Sequence, residues 1–200
     1  MISRRAAVFG IPALVPAALA AAPPEVPPRP PPHFRPGSRL DALMPGLAPR
    51  LDLRNPRTGE SWSGWFAGSP GGDEAAIAEL EWFLRDWREG VCVSICKRVL
   101  YGLAAVRAEA RGSGARGPIE ILSGYRTPRT NARIAGAAAG SLHMYGRAAD
   151  FRLAGVSAAA TASIARALEI GGVGLYPAEG FVHIDSGRVR RWTGRRRERG

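Results

Sequence analysis

Two short stretches of this chain alternate so regularly that they constrain the fold before composition is considered. From Ala148 to Leu153, Ala148, Asp150 and Arg152 fall on one strand face and Ala149, Phe151 and Leu153 on the other. Phe181 to Asp185 repeats the pattern, with Phe181, His183 and Asp185 on one face and Val182 and Ile184 backing the segment into a core. Asp150 then points away from the apolar side, and His183 and Asp185 project together.

The first strand is entered through Ser141-Leu142-His143-Met144-Tyr145-Gly146-Arg147, which sets an imidazole seven residues before the Asp150 carboxylate with small residues between. Neutral imidazole nitrogen and ionised carboxylate oxygen both suit zinc, and a reactive zinc takes three protein ligands and keeps one position open. His143 and Asp150 supply two such groups and His183 the third. Taken singly, each has an ordinary reading: a loop histidine, a solvated strand residue, a satisfied core histidine. Jointly they predict one zinc site per chain. The remaining histidine, His33, lies among prolines where no scaffold could hold a ligand, and is excluded. Ser141 has no evident base beside it and is read as orienting the loop; Gly146 is read as allowing its bend.

The surrounding sequence predicts a single α+β domain, a small antiparallel sheet flanked by helices. Leu51 to Arg54 and Glu60 to Phe66 flank Asn55-Pro56-Arg57-Thr58-Gly59 as a hairpin. Helices are expected over Asp73 to Glu89, ended by Gly90, over Ser94 to Arg111, stopped by Gly112, and over Ser157 to Ile170, capped by Ser157. Ile119 to Ser123 reads as a strand, and Thr127-Pro128 as an N-cap with a first-turn proline opening a helix through Arg133. Arg126 lies on the tight connection between them, where a guanidinium can reach into a cleft. Val173 to Tyr176 is expected to pair with Phe181 to Asp185, so that the loop Pro177 to Gly180, carrying Glu179, forms a rim.

Ahead of the domain, residues 1–22 place Arg4-Arg5 before an apolar run and an Ala-rich end, the order of an export signal. The run contains Pro12 and Pro16 and falls short of the roughly 20 residues of a membrane span, so no permanent span is expected. Ser3-Arg4-Arg5 hints at twin-arginine export. Pro23 to Gly37 can pack nothing and reads as an extended polyproline spacer within a linker set at 23–50. The domain is set at 51–192, and the basic residues of 193–200 are read as a solvated tail. The net charge of +11 rests almost wholly on arginine, Lys97 being the one lysine. Such charge favours anionic polymers in general. Neither a helix-turn-helix pattern nor basic residues interleaved with stacking aromatics is present, so nucleic acid is not expected. Cys92 and Cys96, four apart at the expected start of the second helix, are read as thiols first, a strained disulfide second and metal ligands third.

The pattern Ser-x-His-x-x-x-x-x-x-Asp followed by a distant His-x-Asp resembles the zinc D-Ala-D-Ala metallopeptidases of the Hedgehog/DD-peptidase fold, and within them the murein endopeptidase K subfamily. The resemblance extends to Ser123-Gly124-Tyr125-Arg126-Thr127-Pro128, to Gly172-Val173-Gly174-Leu175-Tyr176-Pro177 and to Gly187-Arg188-Val189-Arg190-Arg191-Trp192, covering about Leu51 to Trp192. It implies an exported enzyme of the periplasm or cell envelope that hydrolyses peptide cross-links of peptidoglycan. In that family the arginine matching Arg126 binds and polarises the substrate carbonyl or carboxylate. Many members place an acidic residue three positions before the last histidine; here that position is Gly180. Asp185 is therefore the first candidate for the general base and Glu179 the second, with orientation of an imidazole as the alternative role of Asp185. Two other functions fit the same residues: a D,D-carboxypeptidase or dipeptidase acting on D-Ala-D-Ala ends, and a noncatalytic cell-wall binding module.

Overall fold

The computed structural model describes residues 37–68 and 73–194. Residues 1–22, read above as an export signal, the Pro-rich sequence with His33 and the basic residues from 195 onward lie outside the described residues. Seven strands form one sheet in the order β2-β1-β3-β4-β6-β5-β7, where β1 is Arg50–Arg54, β2 Ser61–Trp65, β3 Arg116–Ser123, β4 Ala148–Ala154, β5 Gly172–Tyr176, β6 Phe181–Asp185 and β7 Arg190–Thr193. The sheet is larger than expected and mixed: β1 pairs parallel with β3 and β5 with β7, while the other neighbours are antiparallel. The chain runs through β2 and helices between β1 and β3 and through β6 between β5 and β7, so each parallel pair joins strands that are not consecutive, a choice that strand periodicity does not encode.

The alternation read from the sequence sorts the sheet into two unlike faces. Leu51, Leu53, Ile119, Ile121, Ala149, Phe151, Leu153, Val182, Ile184 and Val173 are buried on one side. Against them pack helix α3 (Lys97–Glu109), through Val99, Leu100, Leu103 and Val106, and helix α5 (Ala158–Ala167), through Ala162 and Ala165. The other face carries Asp150, His183 and Asp185. Burial of a side chain such as Phe151 or Leu103 is worth about 1.5–3 kcal/mol each, which holds this face on the helices and leaves the other for chemistry.

Several boundaries differ from expectation. Helix α2 (Asp73–Phe83) stops six residues short of Glu89, because the Leu84 carbonyl accepts from the Tyr125 amide and the chain then turns at Asp86. Helix α3 begins at Lys97, with Cys96 at its N-cap. Cys92 and Cys96 are free thiols on an extended segment, not on one helical turn. The linker set at 23–50 ends sooner: helix α1 (Arg39–Leu43) is closed by a Ser38–Asp41 capping box, and Leu40 is fully buried in the core. At the other end β7 carries the fold through Thr193, and the Gly194 amide donates to the Leu175 carbonyl.

Candidate metal centre

His143 comes from a short 3-10 helix, Leu142–Tyr145, that ends at Gly146. Gly146 has φ +62°, and a Cβ there would collide with the Ser94 carbonyl oxygen, so the turn delivering His143 requires glycine on two counts. Asp150 and His183 sit on β4 and β6 as direct register partners. The sheet extends this pair into a row: Ser123 lies opposite Asp150, Gly174 opposite His183, and Trp192 beyond Gly174.

Three atoms converge. His143 Nε2 lies 3.2 Å from Asp150 Oδ1 and 3.1 Å from His183 Nδ1, and His183 Nδ1 lies 2.8 Å from Asp150 Oδ1. What lies behind each imidazole fixes its tautomer. His143 Nδ1 is 2.6 Å from the Gly124 carbonyl oxygen, which can only accept, so Nδ1 carries the proton and Nε2 presents its lone pair inward. His183 Nε2 is 3.1 Å from Asp185 Oδ2 and can donate to it, which lets Nδ1 present its lone pair inward when a cation is there. Two imidazole lone pairs and a carboxylate oxygen thus meet at one point, an arrangement that repels unless a cation or a proton sits among them. Ligands at roughly 2.0–2.1 Å from zinc in tetrahedral geometry stand roughly 3.4 Å apart, close to the separations seen. The donor set therefore fits a zinc-type cation, and His143, Asp150 and His183 could hold it.

Electrostatics agree. Burial holds the His143 pKa below its ordinary value, favouring the neutral ring. Burial works to raise the Asp150 carboxyl, but the facing imidazoles and the Arg126 guanidinium overcome it and hold the group well below the usual carboxylate range. At His183 burial is outweighed by the hydrogen bonds to Asp150 and Asp185, and the pKa is raised. Without a metal this ring is the one that takes up the proton the three lone pairs demand.

Arg126 reaches the site as its place on the β3-to-α4 connection implies; α4 is Pro128–Arg133. Its Nε donates to Ser123 Oγ at 2.8 Å and its Nη2 contacts Asp150 Oδ2. Nη1 has no partner among the described residues. Asp185 does not face the convergence point. Its Oδ1 accepts from the Gly172 and Gly187 amides, at 3.0 and 2.8 Å, and from Arg190 Nη1. Its Oδ2 accepts from His183 and from Arg190 Nη2, at 2.7 Å. Burial opposes ionisation, but His183, Arg190 and the Gly187 amide pull its pKa down to about 2. A fully buried carboxylate so engaged is a poor proton acceptor, contrary to its ranking by sequence. Glu179 is exposed in the β5–β6 turn, where its backbone carbonyl accepts from Arg152 at 2.6 Å. No described contact joins its carboxylate to the three ligand atoms.

Four participants lie in stretches that carry the family resemblance but receive no role from sequence alone: the Gly124 carbonyl, Ser123, Arg190 and Trp192. The indole of Trp192 lies over Gly174, where a Cβ would stand 2.5 Å from Cε2. It also lies 5.2 Å from the His183 ring and donates from Nε1 to the Tyr176 hydroxyl at 3.2 Å. Tyr176 in turn stacks on Phe181 with centroids 4.4 Å apart. The glycine opposite His183 was the available signal.

Residues 47–192 match the family model described as peptidoglycan L,D-endopeptidase MepK. The chain belongs to that family. Two curated members show the extent of the likeness. The probable peptidoglycan L,D-endopeptidase MepK of Haemophilus influenzae is 36% identical over 148 residues, which cover 72% of this chain and 78% of the relative. The peptidoglycan L,D-endopeptidase MepK of Escherichia coli K12 is 36% identical over 146 residues, covering 71% and 79%. No solved structure gives a significant match. The match runs from just before β1 into β7 and takes in His143, Asp150 and His183.

Proposed function

We propose that the chain is a zinc-dependent murein endopeptidase, which hydrolyses a peptide bond joining peptidoglycan stems and, as the names of its relatives indicate, one of L,D type. The observation that carries the reading is the convergence of two imidazole nitrogens and one carboxylate oxygen, each with a partner behind it. A bound zinc supplies Lewis-acid polarisation of the scissile carbonyl and lowers the pKa of water to about 7. His143, Asp150 and His183 are the ligands in this reading. Asp185, clamped by Arg190 and two amides, orients His183 and keeps its proton on Nε2. Arg126, with Nη1 free of described partners, offers a donor to the carbonyl oxygen as negative charge develops there. Glu179 has the access that Asp185 lacks and is the carboxylate we assign to moving a proton toward the leaving amine. The same reading gives residues 1–22 as an export signal and the periplasm or cell envelope as the place of action. No helix among the described residues is long and apolar enough to cross a membrane.

The test is a digest of intact sacculi by zinc-loaded protein, with products identified by mass. Cross-linked dimers should become monomers, the reaction should stop with a chelator, and zinc should restore it. Release of terminal alanine alone would make the protein a carboxypeptidase. Retention on the sacculus without cleavage would make it a binding module.

A further inference from the structure

Between the end of α2 and Val91 the chain makes a tight turn centred on a residue to which the chemistry above gives no role. Asp86 is 1% exposed. Its amide donates to the Val91 carbonyl at 2.9 Å, and its own carbonyl accepts from the Glu89 and Gly90 amides. Its side chain reaches elsewhere: Oδ1 accepts from the Arg88 amide at 3.2 Å, while Oδ2 accepts from the Thr127 amide at 3.0 Å and the Thr127 hydroxyl at 3.2 Å. Thr127 is also the N-cap of α4, its hydroxyl accepting from the Thr130 amide at 3.1 Å.

The same strap grips the chain just before Arg126. The Leu84 carbonyl accepts from the Tyr125 amide at 2.7 Å, and it stands so close to Gly124 that a Cβ there would collide with it. Arg126's own amide donates to the His143 carbonyl at 3.2 Å. Residues 125 and 127 are therefore both tied to residues 84–86, and residue 126 to the loop bearing a metal ligand. The nearest cation to Asp86, Arg88 Nη1, stands 4.0 Å away on a side chain that is 40% exposed. Burying a carboxylate to hold two amides and a hydroxyl is a costly way to close a surface turn. It is a reasonable way to fix a backbone whose displacement by about 1 Å costs on the order of a hundredfold in rate.

We infer that Asp86 is a positioning residue for Arg126, acting through Thr127 to hold the guanidinium at Ser123 and Asp150 in reach of the substrate oxygen. The inference rests on the reading of Arg126 as a group that acts on substrate. Four zinc-loaded full-length proteins test it: the parent, Asp86→Asn, Arg126→Ala and the double variant, each measured for kcat, KM and bound zinc on cross-linked muropeptides. Asparagine keeps the shape but puts an NH2 against either Arg88 or Thr127. Asp86→Asn should lower kcat by roughly tenfold, with KM and zinc content within about twofold of the parent, and should add less than about twofold to the loss caused by Arg126→Ala. Additive losses, loss of zinc or a parental kcat in Asp86→Asn would overturn the inference while leaving Arg126 in place. A parental rate in Arg126→Ala would instead remove the reading of Arg126, and this inference with it. Should Asp86→Asn not fold, Thr127→Ser and Thr127→Val take its place in the cycle: valine removes the hydroxyl's bond to Asp86 together with its cap on the Thr130 amide, whereas serine keeps both. A loss of kcat in Thr127→Val that is non-additive with Arg126→Ala and absent from Thr127→Ser supports the inference, and an additive loss or a parental kcat in Thr127→Val overturns it.

Discussion

The proton of His183 decides whether three lone pairs can serve one cation, and Asp185 decides where that proton sits. In Asp185→Asn the amide oxygen can still accept from Gly172 and Gly187, but its NH2 then faces Nε2 of His183. The ring is driven to the other tautomer, with the proton on Nδ1, where the metal should bind. Zinc affinity should fall by about 10–100-fold, the scale for losing a group that orients a ligand, and competition with a chelator measures it; unchanged affinity would mean that Asp185 does not set the tautomer. Arg126 gives a different signature. Arg126→Ala removes a donor without removing a ligand, so kcat should fall by roughly a hundredfold or more while zinc content stays near the parent's. Loss of zinc in that variant would show that Arg126 serves chiefly to hold Asp150.

At the scale of elements, the site is a row across five strands, and register brings its members together. Ser123, Asp150, His183, Gly174 and Trp192 come from β3, β4, β6, β5 and β7. Gly174 is where β5 yields space to the β7 indole beside His183. Gly174→Ala would push Trp192 off its seat, costing about 1–3 kcal/mol by overpacking. A lower melting temperature and an altered tryptophan fluorescence spectrum are expected together. A parental melting temperature would show that the indole is free to move. The sequence located β4 and β6 because each alternates over a buried side. It overran α2, whose apolar periodicity continues through Leu84 although tertiary hydrogen bonds have already taken the chain away.

For the whole molecule, the N-terminal end of the described fold is locked to the core by charge as well as by Leu40. Asp41 contacts Arg98, whose Nε donates to the Ile170 carbonyl at 2.7 Å and whose Nη2 donates to Ser38 Oγ at 2.7 Å. Burial tends to raise the Asp41 pKa, but the Ser38 amide and hydroxyl and the Arg98 guanidinium pull it from 3.8 down to about 2. The folded value lies below the unfolded one, so this carboxylate stabilises the fold fully above the unfolded value and progressively less as pH falls toward the folded one. Asp41→Asn should therefore melt below the parent at pH 6, and the gap should narrow as pH falls through 4 toward about 2. A gap independent of pH would mean that the charge of Asp41 contributes nothing to holding α1.

The sequence by itself singled out His143, Asp150 and His183, whose side chains the fold brings together, and determined the apolar side of each central strand and the Thr127 cap, because these depend on residue type at short spacing: a period of two, a capping hydroxyl before proline, an imidazole seven residues before a carboxylate. The arginine at the cleft was legible for the same reason, from its place between strand and helix. Only the tertiary structure decided the mixed sheet, the early docking of residues 38–46, the engagement of both Asp185 oxygens and the strap through Asp86. Most of these join groups distant in the chain, such as Asp86 with Thr127 or Leu40 with Leu168, and around Asp185 even near neighbours such as Arg190 are brought onto one carboxylate by the fold. Local pattern carries the direction in which a side chain points, whereas the partner it meets there is set by how the whole chain packs.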